Sequence, residues 1–323
     1  MRLAGLRKRP IRQASAIARP RAAAADSPSK HARPFGRPKG RVSLSPRLPR
    51  SASATLRLAS LVSLALISAA NPSHAADPCA DKALAVQALH PGDEYQATAL
   101  LFAVARLGCE PEARALLDRG AAIDAKDREG ATALGRSAQA GKIAVAALLI
   151  DRGANVNARA VDESTPLLYA AEADRAAMIR LLIDRGADPN ISGRKGLRPL
   201  AAAAYNGSAG SVELLLKHGA DPNALDDDGK SAMIYAAGRA YAPVVELLIA
   251  AGVDVNRRYA HGLTALMWAA GHDSSAGVED VETTLKALID HGAALDLKDD
   301  RGNTAADIAR ALGHERATKV LEQ

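Results

Sequence analysis

The residues that could do chemistry come first. Gly229-Lys230-Ser231 has the ending of a phosphate-binding loop, in which backbone N–H groups and a lysine cradle phosphate oxygens. Such a loop needs a glycine five residues ahead of Gly229, where the chain has Ala224, so the segment reads as a hairpin turn. Asp226-Asp227-Asp228-Gly229 offers the hard oxygens that calcium takes, but the spacing of a calcium loop would again put Ala224 at the first ligand position. That is a solvated turn as well. His261 and His272 could join an acid of a neighbouring layer on a metal, yet neither has a His or Cys partner at ligand spacing. His218 and His291 directly precede Gly219 and Gly292, where an imidazole can meet the carbonyls of a helix end. No Ser, Cys or Thr stands in a nucleophile-elbow pattern. The sequence therefore predicts no catalytic residue, no metal and no cofactor.

The elements carrying these residues repeat. Leu181-Leu182-Ile183-Asp184-Arg185-Gly186-Ala187-Asp188-Pro189-Asn190 recurs in register at 148–157, 214–223 and 247–256, with looser copies near Ala115 and Ala287. Gly120, Gly153, Gly186, Gly219 and Gly252 are each thirty-three residues apart, so the chain between them is one unit repeated. Within a unit, an apolar pair packs the last helical turn, glycine ends the helix in the left-handed conformation, and Asp or Asn turns the chain outward. The hydrophobic content is 48% but the aromatic content only 3%, which suits thin layers of Ala and Leu.

The formal charge of +6 suggests nucleic acid until it is divided along the chain. Fifteen of the 42 Lys and Arg, but only Asp26 of the 36 acids, fall in residues 1–75; the remainder holds 27 bases against 35 acids, a net charge of −8. An acidic folded part repels phosphate and argues against a nucleic-acid partner. Residues 1–56 read as a disordered basic leader of Arg, Pro, Ala and Ser, with an over-long assigned start as one explanation. Residues 57–75 have a signal-peptide layout: Arg57, an apolar run from Leu58 to Ala70, and Ser73-His74-Ala75 before a cut. That run is shorter than the roughly 20 residues that cross a bilayer, so no stable anchor is expected after cleavage. Ala76-Asp77-Pro78 ahead of Cys79 does not fit a lipidation site. The expected location is the periplasm or the outside of the cell; the alternative is an organelle lumen, reached with a transit peptide ahead of an export signal.

Cys79 and Cys109, the only cysteines, both follow the proposed cut. An even pair in an exported chain points to a disulfide, the alternative being two unpaired core thiols. Residues 76–92 are expected to form an N-terminal capping helix, with Asp77 as its cap and Pro78 at its first position. Seven units follow, at 93–126, 127–159, 160–192, 193–225, 226–258, 259–298 and 299–323. The first carries one extra residue near Gly108, with Thr98 starting its first helix. The sixth carries seven extra, placed at Asp273 to Glu279. The last is a polar cap.

The unit at 127–159 is a turn, Asp127 to Gly130, then a helix from Ala133 to Ala140 capped by Thr132, then a second helix from Ile143 to Arg152. This resembles an ankyrin repeat, and the likeness spans about residues 93–323. It is carried by Thr165-Pro166-Leu167, by Ala170-Ala171, Ala236-Ala237 and Ala269-Ala270, and by Gly-Ala-Asp-Pro-Asn at Gly186 and Gly219. The family's usual His after Thr-Pro-Leu is replaced by Leu101, Gly135, Leu168, Ala201, Ile234 and Met267, so its hydrogen bonds between neighbouring units are expected to be missing.

The resemblance implies an all-α ankyrin-repeat solenoid of about six to seven repeats, monomeric and not an enzyme, that binds another protein on a concave surface of hairpin tips and first helices. Carried over position by position, that surface is Arg128, Glu129 and Gln139; Asp162 and Glu172; Arg194, Lys195, Tyr205 and Asn206; Asp228, Lys230, Arg239 and Tyr241; and His261, Leu263 and His272. Tyr205, Arg239 and Tyr241 are favoured as anchors. Tyr169, Tyr235 and Trp268, each directly before an Ala-Ala pair, are expected to pack between layers. Resemblance to exported bacterial ankyrin proteins implies support of an envelope enzyme such as a catalase; the alternatives are an immunity protein that neutralises a toxin, or a secreted host-directed effector.

Overall fold

The computed structural model describes residues 78–271 and 278–323, without the side chains of 278 and 279. The expectations for the leader at 1–56, the signal peptide at 57–75, the Asp77 cap, His272 and most of the 273–279 insertion lie outside the described residues.

Among the described residues there are fifteen α-helices. The first, α1 (Ala80–Gln87), stands alone. Seven pairs follow: α2 (Glu94–Leu107) with α3 (Glu110–Asp118), α4 (Ala133–Ala140) with α5 (Ile143–Asp151), α6 (Pro166–Glu172) with α7 (Ala176–Asp184), α8 (Pro199–Tyr205) with α9 (Ala209–Lys217), α10 (Ala232–Gly238) with α11 (Ala242–Ala250), α12 (Ala265–Ala270) with α13 (Val278–Asp290), and α14 (Ala305–Ala311) with α15 (Glu315–Leu321). The first helices stack on one another from α2 to α14, and the second helices stack from α3 to α15, with α1 packed against α3 at the head of the second column. The hairpin fingers between units are irregular; the one bridge among the described residues is antiparallel, between Lys126 and Thr132.

Helices of seven to nine residues do not persist alone in water, so packing must hold them. Ala170, Ala171, Ala203, Ala204, Ala236, Ala237, Ala269 and Ala270 are buried, and their small side chains let the first helices approach closely. Leu116, Leu149, Leu182, Leu215, Leu248 and Leu288 are fully buried on the second helices. Each of these leucines also ends its helix. Its carbonyl accepts the N–H of Ala121, Ala154, Ala187, Ala220, Val253 or Ala293 at 2.9–3.1 Å, the closing bond of a Schellman turn. Gly186, at φ +86°, shows why glycine stands in that turn. Hydroxyls cap the first helices, buried at Thr132, Thr165, Ser231 and Thr264 and half-buried at Thr304: they accept the N–H of Gly135, Leu168, Ile234, Met267 and Asp307.

Cys79 and Cys109 are joined in a disulfide, which ties the start of α1 to the turn between α2 and α3. Two helix starts differ from the sequence reading. Cys79 is the residue before α1, which begins at Ala80, so Pro78 lies in a turn ahead of the helix rather than at its first position. Thr98 lies inside α2, which begins at Glu94. Its hydroxyl donates to the Glu94 carbonyl and accepts the Ala122 N–H instead of capping a helix. Gly108 and Gly141 are then in register thirty-three residues apart, so the extra residue of the first unit falls ahead of Gly108. The insertion's last two residues, Val278 and Glu279, open α13, which runs thirteen residues where most second helices run nine.

Bonds between neighbouring units come from a source the missing His did not suggest. The Asn157, Asn190 and Asn256 side chains each donate to the glycine carbonyl of the next unit, Gly186, Gly219 and Gly292, and accept the N–H of Asp188, Asp221 and Ala294. At Asn223 the series changes, and the side chain accepts from Arg257.

Two outcomes follow. Replacing both cysteines with alanine lowers unfolding stability by about 3–4 kcal/mol, read from urea denaturation. Asn190→Ala costs about 1–2 kcal/mol for two neutral bonds, and Asn223→Ala costs less in the same assay.

Candidate functional site

The fingers are shaped by aspartates at their first position. Asp127 Oδ1 accepts the N–H groups of Glu129 and Ala131, Asp226 Oδ1 those of Asp228 and Lys230, and Asp299 Oδ1 those of Arg301 and Asn303, all at 2.8–3.0 Å. A residue on the following first helix then pins the finger. Arg136 reaches Asp127 Oδ2 at 2.6 Å and Glu129 at 2.7 Å; Tyr169 donates to Asp162 at 3.2 Å; and Tyr235 donates to Asp226. Burial alone would raise the Asp127 pKa, but the Arg136 guanidinium and the backbone donors outweigh it and hold it below the ordinary carboxylate value. Burial and the adjacent Asp162 charge push the Tyr169 phenol up to about 12; burial and Asp226 push Tyr235 up too.

Tyr169 and Tyr235 thus pin fingers and also meet the preceding layer as expected, Tyr169 beside Gly135 and Tyr235 against Tyr205, but both are half-exposed rather than core, while Trp268 is half-buried against the core. Neighbouring fingers also bond through backbone: Val161 N–H to Gly130 O, Asp227 N–H to Lys195 O, and Asp300 N–H to His261 O, at 3.0–3.2 Å. Lys195 and His261 make theirs from φ of +53° and +62°, a conformation that costs a non-glycine residue about 1–3 kcal/mol.

Fingers and first helices line a row of notches. The largest, about 1230 Å³, opens beside α2 between Tyr95, Phe102, Arg106, Arg128, Glu129 and Gln139; Tyr95 is 87% exposed there. Lys230, Asp228, His261 and Trp268 share one of about 180 Å³. At the far end His261 and Leu263 face Arg301, Ile308 and Leu312 across about 390 Å³.

Between these ends runs a chain of cations and rings. Arg239 lies 4.5 Å from the Tyr205 ring centroid and 5.8 Å from that of Tyr241. Tyr205 meets Tyr235 edge to face at 5.7 Å, and Lys230 lies 5.7 Å from Tyr235 and 5.5 Å from Trp268. Each such pair contributes about 0.5–1 kcal/mol where exposed, but their common effect is to fix long side chains before any partner arrives.

This arrangement of stacked helix pairs, capped fingers and a shared groove matches two family models. Those for ankyrin repeats cover residues 66–160, 100–193, 158–226 and 200–280, and a single-repeat model covers 261–300. The chain is an ankyrin repeat protein. No curated protein matches it.

In this ankyrin protein most of the expected binding residues lie on the fingers and first helices that line the row of notches. Arg194 pairs with Glu172 at 2.7 Å. Asn206 donates to the Ala171 and Glu172 carbonyls. Lys195 is exposed at a finger tip. Arg128, Asp228, Lys230 and His261 border the notches, and Glu129 holds Arg136. Tyr241 is the exception among the favoured anchors: it precedes α11 in the turn between two helices and is half-buried against the core. Gly207, at φ +73°, passes beneath its ring, and a Cβ there would come within 2.8 Å. Tyr241 therefore reaches the groove only through Arg239. Sequence reasoning passed over Arg136, Tyr95 and Phe102; aligning the units would have marked Arg136, which shares its position with Tyr169 and Tyr235.

The Asp127 pin has a pH signature. Its folded pKa is below the unfolded value, so its contribution is present above about pH 4 and is lost as pH falls through the folded value. Asp127→Asn should lower stability at pH 7 by about 1.5–3 kcal/mol, and the gap to wild type should narrow in urea melts at pH 3.

Proposed function

We propose that this ankyrin protein is exported and uses its groove, without chemistry of its own, to bind another protein in the periplasm or outside the cell. The observation that carries the reading is the row of Tyr205, Arg239, Tyr235, Lys230 and Trp268, held in place by contacts among themselves. Tyr, Trp and Arg dominate interface hot spots, and side chains ordered in advance lose less entropy on association. The export half of the proposal is supported by the signal-like segment at 57–75 and by the Cys79–Cys109 bridge, which suits an oxidising compartment. The net charge of −8 beyond residue 75 favours protein over nucleic acid as partner. The partner we favour is an envelope enzyme that the scaffold supports.

The test is capture of partners by the full chain from periplasmic extract and from culture fluid, followed by calorimetry with the purified partner. Tyr205→Ala and Arg239→Ala should each weaken binding by about tenfold or more, with a combined loss smaller than the product because the two side chains touch. Arg180→Ala, on the exposed side of α7, should leave affinity unchanged. Equal affinity in all three variants would overturn the assignment of the groove.

A further inference from the structure

Arg136, Tyr169, Tyr235 and Trp268 occupy one position of the unit, thirty-three residues apart, and the member of that series in the fourth unit is Ala202. The finger position that Asp127 and Asp226 fill is Gly193 there. Both halves of the pin are missing; the fourth finger keeps the backbone bond that the pinned fingers also have, Gly193 N–H to Leu197 O as Asp127 N–H to Ala131 O, and adds the Arg194–Glu172 pair. Where the pin would lie is a pocket of about 270 Å³, with Ala202 and Leu197 among its lining and the Tyr205 and Tyr235 rings beside them. It is smaller than the roughly 300–1,000 Å³ of small-molecule sites and suits one side chain.

Resting on the protein-binding reading above, we infer that this pocket takes a neutral aromatic side chain, Tyr, Trp or Phe, from the partner, which supplies the ring this unit lacks. Charge complementarity separates the candidates. The one carboxylate in the wall, Glu172, is half-buried and already joined to Arg194 at 2.7 Å, and Arg239 lies on the Tyr205 ring. An incoming Lys or Arg meets two guanidiniums and no unpaired acid in the wall; an incoming carboxylate finds both guanidiniums already engaged, Arg194 by Glu172 and Arg239 by the Tyr205 ring, and would lose its water against Leu197, Ala202 and two rings. A neutral ring meets Leu197, Ala202 and two aromatic rings, which favour offset or edge-to-face contact. Asn206, its amide nitrogen committed to two carbonyls, keeps its oxygen to accept from an indole N–H or a phenol at the rim.

The experiment titrates the full chain with N-acetyl-tryptophanamide, N-acetyl-tyrosinamide, N-acetyl-leucinamide and N-acetyl-argininamide, following the ring resonances of Tyr205 and Tyr235 by NMR. The two aromatic amides should saturate with Kd on the order of 1 mM, at least tenfold tighter than the other two. Ala202→Tyr, which fills the pocket from within, should abolish the shifts. Tyr205→Ala, at a side chain 47% exposed, removes a wall without touching the core and should weaken binding at least fivefold. Stronger binding of the argininamide, or undiminished aromatic binding in both variants, overturns the inference. A captured partner that binds Ala202→Tyr as tightly as wild type also overturns it and leaves the protein-binding reading standing. A saturable aromatic site with no partner captured counts against that reading alone.

Discussion

The stack depends on a leucine that does two things at once. Leu149, Leu182, Leu215 and their equivalents sit fully buried between second helices while their carbonyls close the turn that ends each helix. The side chain sets how far one layer lies from the next, and the carbonyl sets where the chain leaves that layer. Because the two are the same residue, layer spacing and finger placement are locked together, and every finger leaves its helix at an equivalent point. A thin unit cannot bury its apolar side alone, so this register is also what lets short helices persist.

From that register the groove follows. Each finger returns over the next first helix, and the residue at the position of Arg136, Tyr169 and Tyr235 is within reach of an aspartate of that finger. Arg136, Tyr169 and Tyr235 use that reach for hydrogen bonds or ion pairs. The same geometry brings Lys230 between two rings and Arg239 between two others. The groove surface is thus made from side chains that already satisfy one another, so its polar groups are ordered in the free protein.

The period, the glycine turns and the Thr132 cap were legible in the sequence because they obey rules that act within a few residues. Most of the groove residues were legible too, since repeat position fixes which side of a layer a residue occupies. The errors fell where a contact joins residues far apart in the chain. Thr98 carries the same Thr-Ala-Leu lettering as a cap, but the first unit has a longer helix reaching back to Glu94, and its hydroxyl serves Ala122 twenty-four residues away. Asn157, Asn190 and Asn256 replaced the absent histidines as links between units, through partners 29 to 38 residues distant. Tyr241 shares its type with Tyr205 but not its repeat position, so it faces the core from a turn between helices. Ala202 was overlooked because the reading sought side chains with chemistry, and its importance is the volume it leaves empty.

The links between units also differ in height along the fingers. Asparagine bonds hold the finger bases at the joints between the second and third, third and fourth, and fifth and sixth units, whereas backbone bonds nearer the tips join the second to third, fourth to fifth, and sixth to seventh. Among the described residues, the third–fourth and fifth–sixth joints are thus fastened at the base without a backbone bond at the tip. At the third–fourth joint side chains take the place of that bond: Arg194 of the fourth finger pairs with Glu172 of the third unit at 2.7 Å, partly in solvent. The pocket beside Ala202 lies at that joint, so the space left unfilled is bordered by a fastening that added salt weakens.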